Sequence, residues 1–386
     1  MTQFAEVCPG CQSHDLTQPH LVPTQPVILN YRFATADAAK NIARADVTLT
    51  QCRRCGLIFN KSFDSSLVPY DARYENSQCH SPAFLDYLRQ NSQRLVVSLN
   101  LTGKRILEVG CGKGFFLEMI CKEAGGSGTG YDTTYEGPSR LETPSIDFHA
   151  RYVSAADVTE PYDLILCRHV IEHVPEVGSF LEELRAIAVA AGNARIILET
   201  PSFEWIQEQG SFWDVFYEHC NYFGHACLKS LCERAGLEVL SQQTVFGSQY
   251  QIIEARPKQK DTASEFNGIQ PSADLLAYST AAESAKNNLL LRLDQANARK
   301  GWGIWGAGGK GVALVNQLNY PPPLFVIDSN PAKQGCVIPG SNVPIVSPEH
   351  PAIMELKVIL VANPNYFSEI KLSLATLGYR NAVLSA

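Results

Sequence analysis

The apolar run Arg105 to Val109 leads into Glu108-x-Gly110-x-Gly112-x-Gly114, and helical spacing starts at Phe115. A strand, a glycine turn and a helix in that order commit this part of the chain to an α/β unit. Glycines turn the backbone sharply and let a ligand approach it with no Cβ in the way. The dinucleotide form of such a turn has a third glycine three places after the second, and here that place is Phe115. The turn is therefore a poor seat for a pyrophosphate. An acid ahead of the first glycine, Glu108, suits a cofactor with a cationic amino-acid end and no phosphates. Asp132 follows Gly112 by 20 positions, at the end of the next strand, where a carboxylate can take both hydroxyls of a ribose.

From that turn to about Pro257, strands and helices alternate. Strands are expected at Arg105 to Val109, Gly128 to Tyr131, Leu164 to Cys167, Arg195 to Glu199 and Gln251 to Ala255. This is the pattern of a doubly wound, mostly parallel α/β sheet. A helix is expected ahead of it at Pro82 to Leu99. After it come a polar linker, Lys258 to Gln270, and a helical stretch, Ala273 to Lys300, that bridges two units. A second strand, glycine turn and helix start at Gly303, with further strands at Leu324 to Ile327 and Val358 to Val361. Four segments follow: 1–66, a small N-terminal module; 67–257, the central cofactor-binding domain; 258–300, linker and bridging helix; 301–386, a small C-terminal Rossmann-like domain.

The N-terminal module is marked by Cys8 and Cys11, then Cys52 and Cys55, two CxxC pairs. Four thiolates converging from two tight turns make a closed tetrahedral site for structural zinc, with no position left for water. Of the other cysteines, Cys111 in the glycine turn and Cys220 are conceivable nucleophiles, although small buried thiols are far commoner. The beginning, MTQFAEVCPGC, lacks the basic and then apolar regions of a secretory signal, and no window has the apolar length of a membrane span. A cytoplasmic location with reduced thiols is expected. The formal net charge of −7, without any basic run, disfavours nucleic-acid binding and points to a small-molecule acceptor. A monomer or homodimer is expected.

The segment Trp213 to Phe223, WDVFYEHCNYF, gathers aromatic residues around Glu218 and His219. A dry pocket with one titratable base suits proton abstraction, while an aromatic core with a satisfied histidine is the plainer reading.

In ILEVGCGKGFF, in GYD at Tyr131 and Asp132, and in DLILCRHVIEHV at Asp163 to Val174, the chain resembles the class I S-adenosylmethionine-dependent methyltransferases. That resemblance implies S-adenosylmethionine over Glu108, Gly110, Gly112, Gly114 and Asp132. It places the segment after the fourth strand, Arg168, His169, Glu172 and His173, over the cofactor. The last two would sit near the start of a helix, His173 either capping it or acting in catalysis. Asp157 would meet the adenine amino group or stand in a solvated loop.

The order of cysteine pairs, methyltransferase domain, Glu-His before an aromatic pair and a terminal Rossmann-like domain is similar to the bacterial sugar C-methyltransferases, which act on nucleotide-linked keto-sugars. WGAGGKG at Trp305 to Gly311 and DSNPAKQGCVIPGSNVP at Asp328 to Pro344 extend the likeness. It implies methylation of a carbon beside a carbonyl through an enolate. His219 would be the base, Glu218 would orient or polarise, and Tyr70 and Tyr74 would be donors reaching over the cleft. Two departures stand out. Phe216 replaces the family's tyrosine three places before the base, its hydroxyl either missing or supplied by Tyr217. Gly247, Ser248, Gln249 and Tyr250 replace a run that carries an arginine, which removes a bidentate phosphate partner.

Gly306, Gly308 and Gly311 satisfy G-x-G-x-x-G, and Asp328 follows Gly308 by 20 positions. The domain holds about half of a full dinucleotide fold, so its turn, with Lys310, is expected to hold an acceptor phosphate or close the cleft. Rival readings are O- or N-methylation of a small natural-product precursor, an NAD-linked oxidoreductase using this motif, and an RNA methyltransferase or zinc-module adaptor.

Overall fold

A computed structural model describes residues 5–71, 73–258 and 268–386. Most of the expected polar linker lies outside the described residues.

The central sheet has eight strands in the order Leu237–Val245, Tyr250–Pro257, Arg195–Pro201, Leu164–Arg168, Arg105–Val109, Ser127–Tyr131, Ser145–His149, Arg140–Glu142. The five from Arg195–Pro201 to Ser145–His149 are parallel, and Tyr250–Pro257 and Arg140–Glu142 pair antiparallel to their neighbours. Alternate residues of the inner strands feed opposite cores. Ile106, Leu164 and Leu166 pack with helices Pro82–Ser98 and Phe115–Ala124, whereas Leu107, Ile165 and Cys167 pack with Val177–Ala190 and His225–Arg234. Burial on both faces is why these strands read as unbroken apolar runs. All five expected strands of this sheet are present.

The N-terminal sheet is antiparallel, in the order His20–Pro26, Arg44–Gln51, Ile58–Asn60, Asn221–Tyr222. Its last strand comes from the central segment, directly after His219 and Cys220, and pairs Asn221 with Phe59. The C-terminal sheet is wholly parallel, in the order Ile345–Val346, Phe325–Ile327, Trp302–Trp305, Val358–Val361, Ala382–Ser385. Its first strand is central, so the chain winds outward on both sides and leaves a crevice at the carboxyl end of Trp302–Trp305.

Helix Leu275–Gln295 starts at Asp274, whose side chain accepts from the Ala277 amide. Its Tyr278, Leu289 and Leu293 belong to one apolar cluster with Val27, Phe203, Trp213, Ile304 and Val312, drawn from all three sheet units. No helix among the described residues is long and apolar enough to cross a membrane.

Candidate active site

The turn after Arg105–Val109 holds Gly110 at φ 73° and Gly112 at φ 55°. A Cβ on Gly110 would lie 2.2 Å from Val170 Cγ2, whereas one on Gly112 would meet nothing within 4 Å. The first glycine is needed for packing, and the second opens onto a cavity of about 500 Å³. Glu108 lines that cavity with 2% exposure, and its Oε2 has no hydrogen-bond partner among the described residues. Burial lifts the Glu108 carboxyl to about 7 while the Arg168 charge pulls it down. A buried carboxylate oxygen lacking a donor is what the cationic amino end of S-adenosylmethionine would satisfy.

Asp132 stands across the turn. Its Oδ2 accepts from the Gly112 amide at 2.8 Å, and its Oδ1 accepts from the Thr134 amide and hydroxyl, both at 2.7 Å. Three donors thus fix the carboxylate on the cavity wall. Asp157 does not reach the cavity: its Oδ2 accepts from the Ser154 amide and hydroxyl and its Oδ1 pairs with Arg151 at 2.8 Å. The local turn claims the side chain, so the adenine role does not fit, and Arg151, Tyr152 and Val153 line the wall instead.

Arg168 and His169 end the strand Leu164–Arg168. Arg168 Nε donates to Glu199 Oε2 at 2.8 Å, and its guanidinium lies 4.0 Å from the Phe116 ring centroid. Burial opposes the charge on His169, but hydrogen bonds to Glu172 and Glu199 win and raise it to about 9. Both groups line the donor cavity, with their polar atoms engaged by carboxylates of the sheet.

A second cavity, about 300 Å³, lies between the central and C-terminal domains. Tyr74, His169 and His173 line both cavities, so the two meet there. His219 faces the second cavity, and its ring lies among others: Phe216 at 4.2 Å, His173 at 4.7 Å and Tyr222 at 6.1 Å between centroids. Burial pushes the His219 imidazole well below its usual range, helped by positive charge at His169 and Lys310. Its ring nitrogens make no hydrogen bond among the described residues, and burial favours the uncharged form.

Its neighbours hold the frame. Tyr74 OH donates to Glu218 Oε2 at 2.8 Å, and Glu218 Oε1 accepts from the Leu29 amide. Burial raises the Glu218 carboxyl, partly offset by these donors and by His173. His173 Nδ1 lies 3.0 Å from the Glu218 carbonyl oxygen and 2.9 Å from Tyr70 OH. A carbonyl only accepts, so this nitrogen carries the proton and fixes the tautomer. Glu172 and His173 lie in the short turn Ile171–His173, ahead of helix Val177–Ala190, and His173 caps no helix. The Tyr74 hydroxyl is spent on Glu218, whereas the Tyr70 oxygen accepts from His173 and its own O–H proton has no acceptor among the described residues, on the wall of the first cavity.

The four thiols at Cys8, Cys11, Cys52 and Cys55 are at most 3% exposed, with Sγ atoms 3.5 Å apart between Cys8 and Cys55 and between Cys11 and Cys52. All four ligand atoms fall within 4.8 Å of one another, which fits a tetrahedral zinc. Glu172, His173 and His219 also cluster within that distance, but the His169 imidazolium and Lys310 ammonium nearby oppose a cation there.

Residues 83–242 match the family model for a methyltransferase domain, and residues 256–382 match that for a C-methyltransferase C-terminal domain. Together these matches mark the chain as a methyltransferase. It is 26% identical to the C-methyltransferase NovU of Streptomyces niveus over 83% of this chain and 80% of that protein. It is 30% identical to a ubiquinone biosynthesis O-methyltransferase of Bradyrhizobium diazoefficiens over 32% of this chain, spanning about half, 53%, of that relative. A solved magnesium protoporphyrin IX methyltransferase from Synechocystis PCC 6803 is 17% identical, covers 46% of this chain and 84% of its own, and superposes with a TM-score of 0.35.

In this methyltransferase the Phe216 ring lines the acceptor side, and a Cβ on Gly309 would lie 3.2 Å from Phe216 Cζ. Tyr217 does not replace the missing hydroxyl: it is fully buried and its OH takes the Asp64 amide at 2.8 Å. Lys310 forms a buried ion pair with Asp214 on the wall of this cavity. Gln249 and Tyr250, which replace the expected arginine run, line the same cavity. Cys111 and Cys220 are buried, and burial pushes both thiols far above the thiolate range. Asp214, Lys333 and Asn30 went unnoticed in the sequence, since no local spacing ties these residues to one cavity.

Proposed function

We propose that this methyltransferase methylates a carbon beside the carbonyl of a nucleotide-linked keto-sugar, or a related small metabolite, with His219 as the base. The observation that carries the reading is a buried histidine on the acceptor cavity with its basicity depressed, its ring 4.7 Å from that of His173, which lines both cavities. The C-methyltransferase type of the C-terminal domain and the likeness to NovU support carbon as the target.

When bound, S-adenosylmethionine supplies an electrophilic methyl on a sulfonium. Glu108 would pair with its amino group and Asp132 with its ribose hydroxyls. His219 takes the acidic proton of the acceptor at an unprotonated ring nitrogen. The resulting enolate would present its carbon to the methyl that the bound donor would supply. The cations His169 and Lys310, which depress the base, also face the negative charge that develops on the acceptor. Glu218, held by Tyr74 and the Leu29 amide, fixes the loop that carries His219 and the tautomer of His173. The four thiols would hold structural zinc beneath this loop, away from the chemistry.

The test is deuterium exchange at the carbon beside the carbonyl of candidate keto-sugars in deuterated water. Exchange that is present in the unsubstituted protein and absent in His219→Ala is expected. Full methylation by His219→Ala would refute the assignment.

A further inference from the structure

Between Tyr74 and helix Pro82–Ser98 the chain runs as a strap, residues 75–81, without helix or strand. Asn76, Ser77 and Gln78 line both the donor and the acceptor cavity, so the strap is a wall the two share. A segment with no ladder of its own takes its position from whatever holds it. Here the holding groups come from the C-terminal domain. Asn330 Nδ2 donates to Glu75 Oε1 at 3.1 Å where the strap begins, and Tyr366 OH donates to Gln78 Oε1 at 2.8 Å along its length. Where it ends, Glu369 accepts from the Ser81 hydroxyl at 2.7 Å and from the Ala83 amide at 2.8 Å.

Helix Pro82–Ser98 can start without Glu369. Ser81 already caps it by accepting from the Phe84 amide at 3.2 Å, and Pro82 has no amide to satisfy. The second, acidic cap is brought from the first turn of helix Phe367–Thr376, in another domain, and joins the two units where strap meets helix. Aromatic packing continues the hold: the Tyr366 ring lies 5.6 Å from that of Phe246, which lies 5.5 Å from that of Phe84.

We propose that the C-terminal domain clamps this strap, with Glu369 and Tyr366 as positioning residues that keep the donor in its cavity. The domain then has a second task besides lining the acceptor cavity, which is to set how long the donor stays. The proposal rests on the donor reading of the cavity beside Glu108 and Asp132, and the test separates the two.

That test follows dissociation of S-adenosylhomocysteine from the immobilised full chain by surface plasmon resonance, with circular dichroism and thermal melts to confirm folding. Release at least about fivefold faster is expected from Glu369→Ala and at least about twofold faster from Tyr366→Phe, because contacts that hold a bound ligand act on the off-rate. Tyr379→Phe is the control. The Tyr379 hydroxyl lies 3.3 Å from the Leu356 carbonyl and 3.4 Å from that of Ala382, inside the same domain. Its loss leaves the release rate unchanged even where the melting temperature falls. Should Glu369→Ala fail to fold, Tyr366→Phe, which deletes a single hydroxyl, carries the test. Faster release from either variant, with Tyr379→Phe unchanged, supports the clamp. Release at the unsubstituted rate from both, or equal acceleration by Tyr379→Phe, overturns it and leaves the donor reading standing. No saturable binding to the unsubstituted protein overturns the donor reading, and the clamp with it.

Discussion

Asp132 and Asp157 are both aspartates near the donor cavity, yet the structure assigns them opposite consequences for cofactor affinity. Asp132 is fixed on the cavity wall by Gly112 and Thr134, with its carboxylate beside the open face of Gly112. Two ribose hydroxyls donating to a carboxylate contribute about 1.5 to 3 kcal/mol each. Losing both costs at least about 3 kcal/mol, or roughly a hundredfold in Kd. Asp157 is closed on Ser154 and Arg151, so Asp157→Ala should change affinity by less than about threefold. Titration calorimetry with S-adenosylhomocysteine measures both variants, with circular dichroism to confirm folding. If Asp132→Ala binds within threefold of the unsubstituted protein, or if Asp157→Ala loses as much, the ribose assignment is wrong.

Stripping the four thiols of metal with a chelator should abolish methyl transfer while leaving donor affinity within a few-fold, read by parallel activity and calorimetry. The reason is that His219 leads directly into the strand paired with Ile58–Asn60, whereas Asp132 and Glu108 do not touch that sheet. His169 has a folded pKa of about 9, above the ordinary 6.5, so its contribution is fully present below about pH 6.5 and fades as pH rises through 9. Thermal melts should lose roughly 3 kcal/mol of stability across that window, and His169→Gln should flatten the dependence. Phe216→Tyr directs a hydroxyl at Gly309 and should lower the melting temperature, at a cost of about 1 to 3 kcal/mol; an unchanged or higher value would mean the turn has room to spare.

The central sheet was legible because its strands are buried on both faces and spell continuous apolar runs, with glycines marking the turn. Ser145–His149, Arg140–Glu142 and Leu237–Val245 escaped because they lie at or near the sheet edges, where alternating polar residues weaken the signal. Asp132 and the cysteine pairs could be found by spacing alone, since chain geometry sets the distance from turn to strand end and from knuckle to knuckle. The aromatic segment pointed to His219, but the charges that add to burial in depressing its basicity come from His169 and Lys310, distant in sequence. Asp157 misled for the opposite reason: its environment is a local turn with Ser154, invisible to a reading that followed the larger fold. Lys333 depends on Asn30 and Ala307, and no sequence period links those three.

The pairing of Asn221 with Phe59 has a bearing on how the chain comes to be made. During synthesis the first sixty or so residues emerge with the outer edge of Ile58–Asn60 bare, and that edge is covered only once residue 221 leaves the ribosome. A naked strand edge recruits other strands. Truncation or stalling anywhere in between therefore leaves a sticky ribbon, and the segment that protects the nascent protein from aggregation is the same one that delivers the base to its cavity.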